Sequence, residues 1–215
     1  MVRVHDLIEL TNVEGFLLKE TFPDWVRQSL RELPYVVVRR APIIDGLIPI
    51  GIRGKHRSER CASTISISSI KKIYTPESID VSNVQTHASH INEALKAIEE
   101  MIAEYPLTWG PTGSVGFELI TRNPTTHLKS DIDMIIRSDV TLQRTTAETL
   151  MNQLSKLPVK VDILLERDEG GYALSEYASG ADKLVMRSTE GPKLVTHPML
   201  QLLHDGGKYD DHTGT

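Results

Sequence analysis

A short segment in which aspartates alternate with apolar residues constrains this chain more than any other feature. The segment reads Ser130-Asp131-Ile132-Asp133-Met134-Ile135-Ile136. On a β-strand, residues two apart point to the same face and lie roughly 6.6 Å apart. Asp131 and Asp133 would therefore share one face. Ile132 and Met134 would share the other face and can enter a core. The pattern predicts a strand that carries two carboxylates on one side.

A third aspartate lies in a second segment with strand-like alternation. Asp162 is placed opposite an apolar face formed by Val159, Val161, Ile163 and Leu165. If the two strands pair, three carboxylates converge and repel one another unless a cation lies between them. Mg²⁺, or Mn²⁺ as the alternative, would neutralise them and leave positions open for phosphate oxygens. Asp131, Asp133 and Asp162 are therefore candidate metal ligands and catalytic residues. The plainer alternative is a solvated strand edge.

A glycine-rich stretch precedes these strands. It runs Gly110-Pro111-Thr112-Gly113-Ser114-Val115-Gly116, after a short strand predicted at 107–109. Gly113 permits close approach of the backbone to a phosphate, and the Ser114 hydroxyl can donate to a phosphate oxygen. The stretch lacks the Gly-Lys-Ser/Thr of a P-loop. The two residues are candidate substrate-binding residues, and an ordinary tight turn is the alternative.

A basic loop between two predicted strands offers further phosphate contacts. Its cations are Arg53, Lys55, Arg57 and Arg60. Beside a triphosphate these side chains would stabilise developing negative charge, the arginines through bidentate contacts. The alternative is a solvated basic loop.

The remaining pattern predicts an α+β chain with a boundary near residue 83. The first part, residues 1–82, is strand-rich, with strands at 35–38 and 47–52; Pro49 favours an edge position for the latter. A half-buried strand that ends in a loop is predicted over 63–74. Residues 83–215 alternate strands with helices.

Three helices are predicted in the second part. One begins at Ser89 as N-cap and is stopped by Pro106. Another spans 145–157, with Thr145 and Glu148 as a capping box. A short helix covers 172–178, strand-like segments follow it, and residues 204–215 are predicted to fray.

Composition narrows the class of protein. Of 215 residues, 40% are hydrophobic and 25% are charged, as in an ordinary globular protein. The net charge of −5 does not favour binding to nucleic acid. The sequence has no run of about 18 apolar residues, so we expect no membrane span. The start of the chain has no apolar signal-peptide core, and its single cysteine cannot form an intrachain disulfide. We therefore expect a cytoplasmic protein.

The order of the motifs resembles a known superfamily. Gly-Ser, then Ser-Asp-x-Asp before apolar residues, then a later strand with Asp is similar to the nucleotidyltransferase fold shared with DNA polymerase beta. Two longer stretches, GIRGKHRSER and WGPTGSVGFELIT followed by SDIDMII, resemble the phosphoribosyl-dephospho-CoA transferase of the malonate decarboxylase system, a holo-acyl-carrier-protein synthase. This likeness extends over nearly the whole chain. It implies a nucleotidyltransferase domain with a small strand-rich N-terminal domain.

The resemblance also implies a reaction and its partners. The family transfers phosphoribosyl-dephospho-CoA from 2'-(5-triphosphoribosyl)-3'-dephospho-CoA to a serine of the acyl carrier protein subunit of malonate decarboxylase, and releases pyrophosphate. Asp131 and Asp133 match its active-site aspartates, and Asp162 matches the superfamily's third carboxylate by order. Two basic pairs, at 39–40 and 71–72, are candidates for docking the acidic carrier.

Two other functions stay open at this point. One is a different nucleotidyltransferase that modifies a small molecule or a protein with ATP. The other is a non-catalytic nucleotide-binding module of the same fold.

Overall fold

The computed structural model describes residues 1–18, 21–56, 58–83, 85–137 and 142–197. Within these ranges the chain forms a mixed α and β fold with two sheets and six helices. Arg57 and the tail at 204–215 lie outside the described residues. None of the helices in the described part has the length and apolarity that a membrane crossing requires.

The first sheet is built by residues 7–74 and is antiparallel throughout. Its strands are β1 (Leu7–Leu10), β2 (Tyr35–Val38), β3 (Ile48–Arg53), β4 (Arg60–Ile65) and β5 (Ile70–Tyr74), in the order β4-β3-β2-β1-β5. Two helices, α1 (Val13–Leu17) and α2 (Asp24–Glu32), connect β1 to β2. Their buried Phe16, Leu17, Val26 and Leu30 join one face of the sheet in a common core. The opposite face of the sheet is left without a helical cover among the described residues.

Two predictions for this sheet are wrong. Pro49 lies in β3, which is an interior strand and not an edge. It is tolerated because the ladder with β2 ends there, and its carbonyl accepts the Arg39 N–H at 2.9 Å. The segment predicted as one strand over 63–74 is the end of β4, a 3₁₀ turn at Ile67–Ser69, and β5. The chain turns at Ile67, which is exposed and so breaks the apolar alternation.

The second sheet is built by residues 108–196. Its strands are β6 (Thr108–Pro111), β7 (Ile132–Arg137), β8 (Val161–Arg167), β9 (Gly170–Ala173), β10 (Lys183–Ser188) and β11 (Gly191–Thr196), in the order β11-β10-β9-β8-β7-β6. Among these described strands, β7 and β8 are the one parallel pair. Four helices cover one face, namely α3 (Ser89–Ile102), α4 (Gly113–Thr121), α5 (Arg144–Leu154) and α6 (Leu174–Ala178). The strands predicted at 130–136 and 160–166 are confirmed as β7 and β8, which begin two residues and one residue later than predicted. The predicted domain boundary near residue 83 stays a prediction.

The predicted helix starts need correction. Helix α3 begins at Ser89 itself, with Ala88 at the N-cap and no side-chain cap. The capping box is wrong because α5 begins one residue earlier than predicted, which places Thr145 inside the helix. Glu148 instead pairs with Arg144 at 2.8 Å. The helix predicted from 172 is strand β9 followed by α6.

A buried ion-pair cluster joins the two sheets. Arg137, at the end of β7, donates to Asp6 Oδ1 at 3.2 Å, to the Val4 carbonyl at 2.7 Å and to the Glu77 carboxylate at 2.6 Å. Only 9% of the Arg137 side chain is exposed, and Asp6 is fully buried. A guanidinium removed from water needs such partners, since an unpaired buried charge is strongly destabilising. This cluster therefore fixes the N-terminal sheet against the strand that carries Asp133.

Two further contacts hold the sheets together. Arg40, which follows β2, makes a bidentate pair with Glu166 of β8. The backbone at Pro76 packs directly on Gly110 of β6, where a Cβ would lie 2.0 Å from the Pro76 carbonyl oxygen. Glycine is therefore required at position 110.

We predict that Arg137→Met lowers the free energy of unfolding by about 3–5 kcal/mol, because it leaves the Asp6 carboxylate buried without its cation. Urea unfolding followed by circular dichroism measures the change. Arg31→Met is the matched control, since the Arg31–Glu14 pair is exposed and its loss should leave stability within error. Equal stabilities for the two variants would contradict the role given to the cluster.

Candidate functional site

A cleft of about 1570 Å³ lies between the two sheets. Each sheet contributes the face opposite to its own hydrophobic core. In β2, for example, Val36 and Val38 enter the core while Val37 and Arg39 line the cleft. In β7, Met134 enters the core and Asp133 lines the cleft. The alternation of the strands thus turns one row of side chains from each sheet toward a shared space.

The structure brings the three predicted aspartates into this cleft. In the parallel pair β7–β8, Asp133 and Asp162 lie directly beside each other in register. Asp131 lies just before β7, which begins at Ile132 and not at Ser130 as predicted. All three line the cleft. Burial raises the pKa of Asp133, and the negative charges of Asp131 and Asp162 raise it further. The carboxylates are therefore close enough to repel one another.

Lys160 is a member of the site that sequence reasoning missed. It directly precedes β8, and its ammonium group forms an ion pair with Asp162 Oδ2. Its charge also lowers the pKa of Asp133, against the larger effects that raise it. The spacing of two residues from Asp162 on a strand was a usable signal, because it places both side chains on one face.

The donor atoms of this cluster fit a hard divalent cation in type. The described residues contain no three carboxylate, imidazole or thiol side chains already arranged around a metal position. Carboxylate oxygens are nevertheless the ligands that Mg²⁺ prefers. Asp131 and Asp133 bear no ion pair within the described part of the chain, whereas Asp162 is engaged by Lys160. Asp131 and Asp133 are therefore the strongest candidates for metal ligands. Asp162 would become a third ligand if its ion pair with Lys160 broke.

The predicted glycine loop is shorter than expected. Only Thr112 separates β6 from α4, which begins at Gly113. Gly113 has φ +58°, and a Cβ there would lie 2.3 Å from Asp133 Oδ2. The Thr112 N–H donates to the Asp133 carbonyl at 2.8 Å. Ser114, the second residue of α4, lines the cleft. The start of a nine-residue helix, with its free N–H groups and dipole, therefore adjoins the carboxylates and suits a phosphate.

Arg53 is the residue of the basic loop that reaches the glycine turn. Its Nη1 donates to the Gly113 carbonyl at 3.1 Å, and its guanidinium lies 5.5 Å from the centre of the Phe117 ring. Burial lowers the pKa of Arg53, and the charge of Arg60 lowers it further, while Asp133 raises it. The N-terminal sheet thus contributes a cation beside the aspartates of the other sheet.

The other basic candidates have different surroundings. Lys55 and Arg60 line the cleft, but Lys55 pairs with Glu32 at 3.4 Å, and Arg60 donates to the Glu59 carbonyl at 2.9 Å. Arg57 lies outside the described residues. Of the pairs considered for carrier docking, Arg40 is bound by Glu166, and Lys71 is bound by Glu9 at 2.6 Å. Neither of those two is a free surface cation.

Glu118 is a buried carboxylate that fixes the segment of chain leading to Asp131. It belongs to α4 and is 4% exposed. Its carboxylate accepts the N–H groups of Thr125 at 2.7 Å and Thr126 at 2.6 Å, and also that of His87. Burial raises its pKa, but these hydrogen bonds outweigh burial and hold the pKa below its usual range. The signal in the sequence was a lone acidic residue inside the apolar run 117–120.

The loop that Glu118 holds also contacts the glycine turn. Thr125 donates its hydroxyl to the Ser114 carbonyl at 2.9 Å. Glu118 therefore ties α4 to the residues that lead into Asp131.

We predict that Glu118→Gln lowers the free energy of unfolding at pH 7 by about 1.5–3 kcal/mol, because an amide cannot accept all three N–H groups as a carboxylate does. The folded pKa is lowered, so this stabilisation is present above the unfolded pKa of about 4.3 and is lost as the pH falls through the folded pKa. Urea unfolding of both proteins at pH 7 and below about pH 4 measures the difference.

Glu104→Gln is the control, since Glu104 is exposed. The structural role of Glu118 would be contradicted if the loss of unfolding free energy in Glu118→Gln grew as the pH fell. It would also be contradicted if Glu118→Gln and Glu104→Gln lost the same unfolding free energy at pH 7.

Comparison with known proteins gives consistent matches. Residues 78–198 match the family model of the phosphoribosyl-dephospho-CoA transferase MdcG C-terminal domain, and residues 3–76 match that of its N-terminal domain. A phosphoribosyl-dephospho-CoA transferase of Pseudomonas putida is 33% identical over 196 residues, which cover 91% of this chain and 94% of the relative. One of Klebsiella pneumoniae is 30% identical over 198 residues, which cover 91% and 95%. No solved structure matches the chain.

Proposed function

Since the chain belongs to the phosphoribosyl-dephospho-CoA transferase family, we propose that it transfers phosphoribosyl-dephospho-CoA from triphosphoribosyl-dephospho-CoA to a serine of an acyl carrier protein. The proposed carrier is the acyl carrier subunit of malonate decarboxylase, and the released product is pyrophosphate. The observation that carries the proposal is the pairing of Asp133 with Asp162 beside the helix start at Gly113. The proposed location of this reaction is the cytoplasm.

The proposed fold of residues 83–215 is that of a nucleotidyltransferase. Three features support it: a parallel strand pair with adjacent aspartates, an antiparallel strand β6 at its side, and a helix that starts with Gly-Ser after β6. The superfamily resemblance of the motifs has the same order along the chain.

In the proposed reaction the carrier serine oxygen bonds to the phosphorus nearest the ribose. The bond from that phosphorus to the pyrophosphate oxygen breaks, and pyrophosphate leaves with the electron pair. Asp162 accepts the serine proton. Mg²⁺ held by Asp131 and Asp133, with Asp162 as third ligand, would neutralise the phosphates and make the hydroxyl easier to deprotonate. In-line transfer of this kind depends chiefly on position and charge.

The other contacts in the proposal orient the triphosphate. Gly113 lets the Asp133 carboxylate approach the start of α4, because any side chain there would meet the carboxylate. The N–H groups at the start of α4 and the Ser114 hydroxyl donate to phosphate oxygens. Arg53 adds a positive charge from the opposite wall of the cleft.

We predict that Asp133→Asn reduces transfer by at least about a hundredfold, since charge stabilisation by a bound metal contributes several kcal/mol to the transition state. The assay combines the protein, apo-carrier, triphosphoribosyl-dephospho-CoA and Mg²⁺, and weighs the carrier by intact mass spectrometry. Asp168→Asn is the control, because Asp168 is exposed and lies beyond the far end of β8.

Undiminished transfer by the Asp133 variant would remove the aspartates from the chemistry. Modification of a carrier or a small molecule by wild type with ATP alone would favour a different nucleotidyltransferase. A wild-type protein that binds the substrate without any transfer would be a non-catalytic module.

A further inference from the structure

The cleft has two differently charged ends. Four acidic side chains line it among the described residues, namely Glu32, Asp131, Asp133 and Asp162. The three aspartates and Arg53 mark one end. At the other end the cleft is lined by Arg39, Arg187 and His5. The second end therefore has cations in the lining, and the carboxylate nearest to them among the described residues, Glu166, does not line the cleft and is paired with Arg40.

Arg39 projects from the N-terminal sheet into this end. Its side chain runs across Gly51 of the neighbouring strand, where the Arg39 Cγ and Cδ atoms lie 3.3 Å from an added Cβ position. Its backbone pairs with Pro49, four residues before Arg53 on β3. Four residues of a strand span about 13 Å. The Arg39 backbone is thus displaced from Arg53 by that length, and its side chain extends back along the cleft wall as far as Gly51, two residues from Arg53.

Arg187 approaches the same end from the second sheet. It lies on β10 in register with Gly171, over which the Leu164 and Glu166 side chains pack. The charges of Glu166, Arg40, Arg137 and Arg187 all act on the His5 imidazole, that of Glu166 most strongly, and the His5 backbone N–H donates to the Val38 carbonyl at 3.0 Å. His5 is therefore close to both walls at this end of the cleft. Burial lowers the pKa of His5 to about 4, so its ring is neutral at pH 7.

Neither arginine has an acidic partner in the described part of the chain. Within the described ranges, no carboxylate lies within salt-bridge distance of Arg39 or Arg187. Arg40 and Arg137, in contrast, are engaged in ion pairs, that of Arg40 partly buried and that of Arg137 buried. Two unpaired guanidinium groups on opposite walls of one cleft are suited to a bridging anion with several oxygens.

Between the two ends the cleft floor is apolar. Ile135 and Leu164 are buried on the cleft side of β7 and β8 and lie outside the hydrophobic core of that sheet. Leu7 and Val37 line the opposite wall. An uncharged section of a ligand can therefore lie between two charged ends.

We propose that Arg39 and Arg187 form a second anion subsite, which binds the diphosphate of the dephospho-CoA part of the substrate. This inference rests on the proposed function. The substrate has a triphosphate on one ribose and a diphosphate on the other, with the two sugar rings between them. Its triphosphate would lie at the aspartate end with the divalent cation held there, its diphosphate lies at the arginine end, and the sugars and the base lie over the apolar floor. The pantetheine arm then leaves the cleft past Arg187.

The test measures binding of two partial ligands to the full-length protein by calorimetry. Dephospho-CoA has the diphosphate but no triphosphate. Inorganic triphosphate with Mg²⁺ represents the triphosphate without the dephospho-CoA part. Arg39→Met and Arg187→Met should each weaken dephospho-CoA binding about tenfold and leave triphosphate binding within about twofold. Arg53→Met should have the opposite pattern. In the transfer assay, the first two variants should raise KM for the whole substrate and leave kcat unchanged.

Lys183→Met is the matched control, as an exposed cation on β10 that does not line the cleft. Unchanged dephospho-CoA affinity in both arginine variants, or equal weakening of both ligands, would overturn the subsite. Should wild type fail to modify the carrier while dephospho-CoA affinity still depends on the two arginines, the proposed function would fail and the subsite would stand. If wild type modifies the carrier but the affinity for dephospho-CoA does not depend on Arg39 or Arg187, the subsite alone would fail.

Discussion

The buried guanidinium of Arg137 is the interaction on which the arrangement of the cleft depends. It ends the strand that carries Asp133, and it is held by Asp6 and Glu77 from the N-terminal part of the chain. A charge in this position stabilises the fold only while its partners stay in place, because desolvation of an unpaired ion is costly. The ion pairs therefore define how the two sheets face each other. The two rows of cleft residues are brought into register as a consequence.

The cleft separates opposite charges along its length. At one end, three carboxylates crowd together, and their mutual repulsion contributes to the raised pKa of Asp133. Arg53 crosses from the other sheet to the glycine turn at that end. At the far end, Arg39 and Arg187 are left without acidic partners among the described residues. With a divalent cation on the aspartates, this distribution would fit a ligand with two polyanionic groups and an uncharged middle, and each sheet would share in binding it. Neither sheet alone would form the site.

The sequence predicted the strands of the site better than their surroundings. Alternation placed Asp133 and Asp162 on the face opposite the core, and the structure sets them beside each other. The buried cation Arg137 gave no local signal, because its carboxylate partners lie 60 and 131 residues away along the chain. The edge position predicted from Pro49 was wrong because an interior strand tolerates a proline where the hydrogen-bonded ladder to one neighbouring strand ends. Thr145 was misread because α5 already begins at Arg144, which places Thr145 inside the helix and leaves Glu148 to pair with Arg144. Local pattern thus predicts which face a residue occupies, while long-range pairing decides which residues meet.

The most direct test of this account is the location of a bound metal. A crystal of the protein grown with Mn²⁺ and triphosphoribosyl-dephospho-CoA would be measured for anomalous scattering at the manganese edge. The account predicts an anomalous difference peak within coordination distance of the Asp131 and Asp133 carboxylates. The phosphates of the substrate should lie beside this peak, at Gly113. Manganese bound at any other place, with the triphosphate away from these aspartates, would contradict it.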